Sequence, residues 1–307
     1  MLTLKQTTRI FENVGYREPD LFIWLYDNLY TKLRLSSVSP EYEENLRLTK
    51  TKSAIFITLV DDIADNKEYR DKELIYALMD MPFKTCEHSI DSAYYHAAQM
   101  IWQDFILTIK KYPRYSEFRD ILFFDFRLVM ASQEYSMLIN TNRHLPNIME
   151  NEIFGPHGTL FLIHASLDLM CSPEFDINDL GQLREILIIG QKIAQLCNTV
   201  NTYRRELEEE DISSPVVLKA LLDNPKRSLS QVRNFKQIEN QYERKVYNYI
   251  NEMKRQAFNV RTVDVIALAD VMNRIWLDYK SRKSFGRAIT IKPDFETTHI
   301  EPVAAAF

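Results

Sequence analysis

Apolar residues recur at three- and four-residue steps along most of this chain, a spacing typical of helices that bury one face. Leu21, Leu25, Leu29 and Leu33 begin the pattern, and only 6 of the 307 residues are glycine, which costs about 1 kcal/mol relative to alanine inside a helix. Strand signals are weak throughout, so the chain is predicted to be all-α. The predicted helices cover residues 20–35, 45–66, 91–111, 116–140, 176–210 (two runs around Gly181 and Gly190), 215–222, 228–257 and 261–282.

These helices are expected to form one domain, because no linker rich in proline, glycine or serine divides the chain. The domain is assigned to residues 1–287. Residues 288–307 lack helical periodicity and contain two prolines. They are predicted to form an irregular C-terminal tail or a lid.

Charge and composition exclude several classes of partner. A net charge of −5 argues against nucleic acid, which calls for a basic surface. Cys86, Cys171 and Cys197 have unrelated spacings, which predicts buried thiols in a reducing compartment and no disulfide framework. No run of 18 apolar residues predicts a membrane span, and the first residues lack a signal-peptide pattern. A soluble cytoplasmic protein is expected.

Three oxygen-bearing side chains, Asn198, Thr202 and Glu206, are spaced four residues apart within a predicted helix. Each residue turns a helix by about 100°, so a four-residue step returns to nearly the same face. An amide, a hydroxyl and a carboxylate oxygen then converge, and Mg²⁺ prefers such ligands at about 2.1 Å. Arg205 would place a planar cation suited to a phosphate beside them.

An acidic segment contains Asp61, Asp62 and Asp65 at the end of an earlier predicted helix. Asp61 and Asp65 share a face because they are four residues apart. Either segment alone is weak, since acidic clusters are common on solvated surfaces. Two such segments, each after an apolar helical run, are a strong signal for a metal site. The acidic run 208–211 is interpreted as a solvated helix end, with extra negative field near the metals as the alternative.

Together the two segments resemble the metal-binding motifs of class I terpene synthases, an aspartate-rich segment and an Asn-x-x-x-Ser/Thr-x-x-x-Glu segment. The resemblance covers about residues 20–287. It implies a single α-domain, a helical barrel around a central apolar cavity, with the two motifs facing each other across its mouth. It also implies three Mg²⁺ ions, replaceable by Mn²⁺, and a prenyl diphosphate substrate. The metal ligands expected from it are Asp61, Asp65, Asn198, Thr202 and Glu206, which are also the expected catalytic residues, with Asp62 as a further ligand or a hydrogen-bond partner of one.

The same resemblance implies a basic set that binds the diphosphate. Arg205 matches the basic residue before the last Glu of the second motif. Arg282 and Lys283 lie near the position of a C-terminal Arg-Tyr pair in the family, although Phe285 stands where a tyrosine is expected. Compensation of a helix dipole is the alternative role for these two cations.

Two departures from the family pattern bear on the substrate. Thr199 replaces a second Asp that is not a usual metal ligand, and Glu152 replaces a diphosphate-sensing Arg of many microbial relatives. The segment around Glu152 is similar to the Glu-Asn-Gly and Gly-Pro stretch of labdane-related diterpene synthases of the kaurene-synthase type. Its Gly-Pro-His-Gly sequence can break a helix. The residues expected to line the cavity are Phe56, His157, Gly158 and Trp276, and ordinary packing is the alternative for His157 and for each aromatic residue.

The resemblance therefore predicts a lyase, a diterpene synthase that ionises a C20 diphosphate of geranylgeranyl or copalyl type and cyclises or deprotonates the cation. The alternatives are a sesquiterpene synthase acting on farnesyl diphosphate, a prenyl-chain-elongating transferase, which would carry a second Asp-rich motif, and a non-catalytic helical interaction protein. Relatives are often dimers, so a homodimer is a candidate assembly.

Overall fold

The computed structural model describes residues 1–65, 71–84, 90–142, 144–224 and 235–281, and this part of the chain is helical without a β-strand. Its α-helices, in chain order, are α1 (Leu4–Glu12), α2 (Asp20–Trp24), α3 (Glu43–Asp65), α4 (Lys72–Asp80), α5 (Ala93–Ile109), α6 (Tyr115–Thr141), α7 (Ile148–Phe154), α8 (Phe161–Met170), α9 (Leu180–Glu208), α10 (Pro215–Asp223), α11 (Phe235–Gln256) and α12 (Val265–Ser281). The predicted all-α class is confirmed. None of the helices described combines the length and apolar character that a membrane crossing requires.

The helices α3, α5, α6, α10, α11 and α12 correspond to predicted ones, with ends that differ by a few residues where the structure describes them. The predicted beginning of α11, residues 228–234, lies outside the described residues. Four helices, α1, α4, α7 and α8, were not predicted. For α8 the reason is physical: all ten residues from Phe161 to Met170 are buried. A helix surrounded by protein has no polar face, so its sequence lacks the alternation that reveals a helix.

The segment predicted as two helical runs around Gly181 and Gly190 is one continuous helix of 29 residues, α9. Gly190 keeps its helical conformation and serves packing. A Cβ added there would lie 2.7 Å from Cε1 of the Phe161 ring, closer than unbonded carbon atoms approach. The missing side chain therefore lets α8 pack closely on α9.

The segment predicted as one helix over residues 20–35 divides after α2. A π-helical turn, Leu25–Leu29, follows α2 directly, and the Tyr30 N–H donates to the Leu25 carbonyl oxygen at 2.8 Å. Such turns occur frequently at functional sites. Leu25 and Leu29, at the two ends of this turn, line an internal cavity together with Leu21 and Leu33. The leucines that begin the apolar pattern therefore face the cavity as well as protein.

The predicted helix break is present between α7 and α8. Residues Gly155–Thr159 form a 3₁₀ helix, and Leu160 then adopts a left-handed conformation with φ 61° and ψ 8°. This conformation is unfavourable for a residue with a side chain. Gly155, Gly158 and Leu160 all line the cavity, so the break brings irregular backbone to its wall.

Two groups of helices surround the cavity. On one side α3 packs against α5 and α6, and on the other α9 packs against α8, α10, α11 and α12. Two buried lysines fix α3 in place: Lys50 Nζ lies 2.6 Å from Asp168 Oδ1 on α8, and Lys52 Nζ lies 2.5 Å from Asp104 Oδ2 on α5. A buried charge requires such a partner, so these pairs restrict how α3 can rotate.

Candidate active site

A cavity of about 280 Å³ lies between α3 and α9. About half of its wall is apolar, and this part includes Leu25, Ile57, Phe161 and Ile275. The side chains of Asp61, Asn198 and Glu206, and those of Arg17 and Arg205, also line it, so charged groups from distant segments share one space. An apolar cavity with a few convergent polar groups is the usual form of a small-molecule site.

The aspartate segment reaches the cavity through the face of α3. Ala54, Ile57, Thr58 and Asp61 line the cavity, and their spacing of three, one and three residues corresponds to one helical stripe. Asp62 lies beside this stripe and is buried, with 5% of its surface exposed. Its Oδ2 atom makes no hydrogen bond within the described residues.

The second segment projects from the last turns of α9. Asn198 and Glu206 line the cavity, and Thr202 Oγ1 lies 2.5 Å from Glu206 Oε1 and 2.9 Å from the Asn198 carbonyl oxygen. Glu206 is buried, and its Oε2 atom makes no hydrogen bond of ordinary geometry in the part of the chain that is described. Two of the three side chains predicted to converge, those of Thr202 and Glu206, are therefore in contact.

Both buried carboxyl groups hold their protons unusually tightly. Burial raises the pKa of Asp62 to about 6, with Asp61 adding to the rise and Arg17 and Arg205 opposing it. Burial also raises the pKa of Glu206 to about 7, and the negative charge of Asp211 adds to this, opposed by Arg205. Arg205 thus acts on a carboxyl from each segment. A nearby cation favours an ionised carboxylate, so Arg17 and Arg205 offset only part of the effect of burial on these two pKa values.

The residues present fit a divalent metal ion with oxygen ligands. Within the described ranges, Asp62 Oδ2 and Glu206 Oε2 are buried oxygen atoms without a hydrogen bond of ordinary geometry, and Mg²⁺ binds carboxylate and amide oxygens. Among the residues described, no three His, Cys, Asp or Glu side chains form a metal-holding group. This is because the second segment supplies a single carboxylate, and its other two candidate ligands are an amide oxygen and a hydroxyl oxygen. The side chain of Asp65 lies outside the described structure.

The two neighbouring arginines of α9 differ in position. Arg205 lines the cavity, its Nη1 donates to both carboxylate oxygens of Glu209 at 3.0 and 2.9 Å, and its Nε is buried without a partner. Arg204 is exposed and packs over the Tyr203 ring, with 5.8 Å between Cζ and the ring centroid. Arg205 therefore has an N–H group available to an anion in the cavity.

We expect Arg205→Ala to weaken the binding of inorganic diphosphate in the presence of Mg²⁺ by about 10- to 100-fold, since hydrogen bonds to charged groups contribute about 1.5–3 kcal/mol. Arg204→Ala, the matched control, should change the affinity less than about threefold. Isothermal titration calorimetry measures both. Equal losses in the two variants would contradict the positions described for these arginines.

One of the four residues predicted to line the cavity does so: Gly158 is part of its wall, whereas Phe56, His157 and Trp276 are not. Phe56 projects from another face of α3, and its ring centroid lies 4.9 Å from that of Trp102. His157 Nδ1 instead accepts a hydrogen bond from Gln191 Nε2 at 3.1 Å.

On α12 the smaller neighbours of Trp276 line the cavity, namely Met272, Ile275 and Tyr279. Trp276 is 1% exposed and belongs to the hydrophobic core. Arg282 and Lys283, predicted to bind diphosphate, and the predicted tail or lid at residues 288–307 lie outside the described residues.

The two departures noted in the sequence have simple structural roles. Glu152 does not line the cavity; its Oε1 accepts from Lys245 Nζ at 2.7 Å, with both side chains substantially exposed. The hydroxyl of Thr199 lies 2.9 Å from that of Ser214, where the two share a hydrogen bond. Ser214 in turn acts on Glu206 through a hydrogen bond that lowers the pKa of this carboxyl, so Thr199 is linked to the oxygens around Glu206, whereas Glu152 is not part of the cavity wall.

Three functional candidates were missed in the sequence. Arg17 bonds to the aspartate segment, His164 lines the cavity beside Tyr30, with 4.9 Å between ring centroids, and Asp211 is buried near Glu206. Asp211 did have a signal, because it ends the acidic run 208–211. Exposure separates that run: Glu208 is exposed, as a solvated helix end predicts, whereas Asp211 belongs to the cavity.

Comparisons with known proteins assign no family: no protein-family model matches the chain, and no curated protein matches it. The geometry of the cavity and of its charged groups therefore carries the functional proposal.

Proposed function

We propose that this protein is a magnesium-dependent class I terpene synthase, built as a single α-domain of that family. One observation supports this above all: two oxygen-rich segments, on α3 and α9, line the same cavity, about half of whose wall is apolar, and Arg205 is within electrostatic reach of both. A prenyl diphosphate has a matching division into a highly charged head and an apolar chain. The charged groups would bind the head, and the leucine-rich wall would enclose the chain.

The proposed reaction begins when the allylic carbon–oxygen bond breaks. Both electrons of that bond leave with the diphosphate, and an allylic carbocation remains. Mg²⁺ held by the two segments would supply Lewis-acid stabilisation of the departing oxygen atoms. The cation then closes a ring on one of its own double bonds or loses a proton, which gives a neutral terpene hydrocarbon.

The residues of the chain divide this work. Asp61, Asp62, Asn198, Thr202 and Glu206 would hold the metal ions, with Asp65 as a further ligand. Arg205 would bind the diphosphate and keep the leaving group at the charged end.

The apolar wall would keep water from the carbocation. The Tyr30 and Phe161 rings in that wall would stabilise positive charge through their faces. The apolar surface would therefore protect the cation from water as well as determine the shape that the cation adopts.

A C20 substrate of geranylgeranyl or copalyl type remains the leading proposal, from the resemblance of the segment around Glu152 to labdane-related enzymes. A specific observation favours the C15 alternative, farnesyl diphosphate: a cavity of about 280 Å³ is just below the usual range for ligand sites, roughly 300–1,000 Å³. Chain elongation is a third proposal, disfavoured because the α9 segment offers Asn, Thr and Glu in place of aspartates.

The purified protein should convert a C20 diphosphate with a kcat/KM at least about tenfold above that for farnesyl diphosphate, since even one methylene changes binding in an apolar pocket by about 1–3 kcal/mol. Geranyl, farnesyl, geranylgeranyl and copalyl-type diphosphates are incubated separately with Mg²⁺, and hydrocarbons are identified by mass spectrometry. Highest efficiency with farnesyl diphosphate would make the protein a sesquiterpene synthase. A longer prenyl diphosphate formed after adding isopentenyl diphosphate would indicate an elongating transferase.

Cytoplasmic location and a homodimer complete the proposal. The described cysteines, Cys171 and Cys197, are buried and unpaired, and burial raises the pKa of both thiols, so they are unreactive and suit a reducing compartment. Sedimentation velocity of the purified protein would test the dimer.

A further inference from the structure

Arg17 makes the most direct contact with the aspartate segment. Its Nη2 donates to Asp61 Oδ2 at 2.6 Å, and its Nε donates to Asp62 Oδ1. One planar guanidinium therefore bridges two consecutive carboxylates. The Arg17 side chain is 15% exposed and the Asp62 side chain 3%, so solvent screens this contact only weakly.

Arg17 also faces the cavity that the second segment shares. It lines the wall together with Asp61, Arg205 and Glu206, and it lies just before α2, which carries the first leucine of the cavity wall. The segment that carries Arg17 is thus part of the site, although it precedes both metal-binding segments in the chain.

We propose, resting on the terpene synthase function above, that Arg17 is a substrate-binding residue that neutralises Asp61 and Asp62 in the metal-free protein and transfers to the diphosphate when Mg²⁺ binds. Arg17 and Mg²⁺ compete for the same two carboxylates, because both are cations that need their oxygen lone pairs. Once the metal neutralises the aspartates, the guanidinium is released from these two carboxylates but remains beside the cavity. A diphosphate then offers the same planar pair of oxygens that the carboxylates had offered.

Three variants of the full chain test this exchange, each titrated calorimetrically with MgCl₂ alone and then with inorganic diphosphate in saturating MgCl₂. Arg17→Gln should bind Mg²⁺ alone about tenfold more tightly than the wild type, because a neutral amide no longer competes for the carboxylates. The same variant should bind diphosphate about tenfold more weakly. Arg17→Lys retains the charge but lacks the planar guanidinium. Its affinities for Mg²⁺ and for diphosphate should therefore lie between those of the wild type and those of Arg17→Gln. Arg255→Gln removes an exposed arginine outside the cavity wall and should change neither affinity.

Mg²⁺ affinity that is unchanged or weaker in both Arg17 variants would overturn the competition, and unchanged diphosphate affinity would overturn the transfer. Circular dichroism establishes that each variant is folded. If Arg17→Gln does not fold without metal, the Arg17→Lys titrations decide both points. Product formation by the wild type is measured separately: its absence would reject the proposed function, whereas the MgCl₂ titration would still decide whether Arg17 competes with the metal.

Discussion

Glu206→Gln should lower kcat/KM for the prenyl diphosphate by at least about 10³-fold while the protein remains folded. Glu206 is buried, contacts Thr202 at 2.5 Å and has an Oε2 atom without a hydrogen bond of ordinary geometry. Glutamine has the same shape but puts a neutral amide where the proposed metal site requires a carboxylate. A metal contributes several kcal/mol to stabilising a leaving group, and each 1.36 kcal/mol is worth tenfold in rate.

Glu208→Gln is the matched control, because it makes the same chemical change on the same helix at an exposed position. It should leave kcat/KM within about twofold of the wild type. Asn198→Ala and Thr202→Ala should also reduce turnover greatly, since both residues belong to the same oxygen set. Full activity of Glu206→Gln at saturating Mg²⁺ would reject the metal site on α9.

The metal-free protein should lose stability as the pH rises from about 4 to 8, through the contributions of Asp62 and Glu206. Their folded pKa values, about 6 and about 7, lie above the ordinary values of 3.8 and 4.5, so the folded state binds more protons in this window. Stability from these two groups is complete below the ordinary values and is lost as the pH passes the folded ones. Each contributes up to about 3 kcal/mol, since one pKa unit corresponds to about 1.4 kcal/mol.

Mg²⁺ should oppose this loss, because a metal binds the deprotonated carboxylates and stabilises the state that binds it. Urea unfolding at several pH values, with either a chelator or MgCl₂ and with Glu206→Gln for comparison, isolates the effect from that of other carboxyl groups. The increase in unfolding free energy on adding Mg²⁺ should be larger at pH 8 than at pH 6. An equal or smaller increase at pH 8 would contradict the proposed proton–metal competition at these carboxylates.

The parts of the structure that were predicted depend on short-range geometry. The spacing of apolar residues indicated α6 because this helix has one buried face and one solvated face. The approach of Thr202 to Glu206 follows from the helical turn alone. In the same way, Asp61 reaches the cavity because it continues a stripe on α3.

The parts that were missed depend on distant contacts. Arg17 meets Asp61 across 44 positions in the chain, and no local pattern marks an arginine as the partner of a given aspartate. Phe56 was expected in the cavity wall because of its ring, but the rotation of α3 directs it toward Trp102. The close packing of α8 on α9 at Gly190 likewise depends on the Phe161 ring, which only the packed structure brings close.

The buried Lys50–Asp168 pair has a consequence for how the site tolerates change. Lys50 and Asp61 are eleven residues apart on α3, about 16 Å along a helix. Since a straight helix transmits rotation along its length, a small turn imposed at Lys50 would reappear at Asp61 as a shift of its carboxylate. Asp168 belongs to α8 and does not line the cavity, yet it helps to set the alignment of the aspartates with the segment on α9. The position of the aspartates is thus maintained by a contact about three turns away on the same helix. Substitutions at that contact would shift the carboxylates without changing any of the proposed metal ligands.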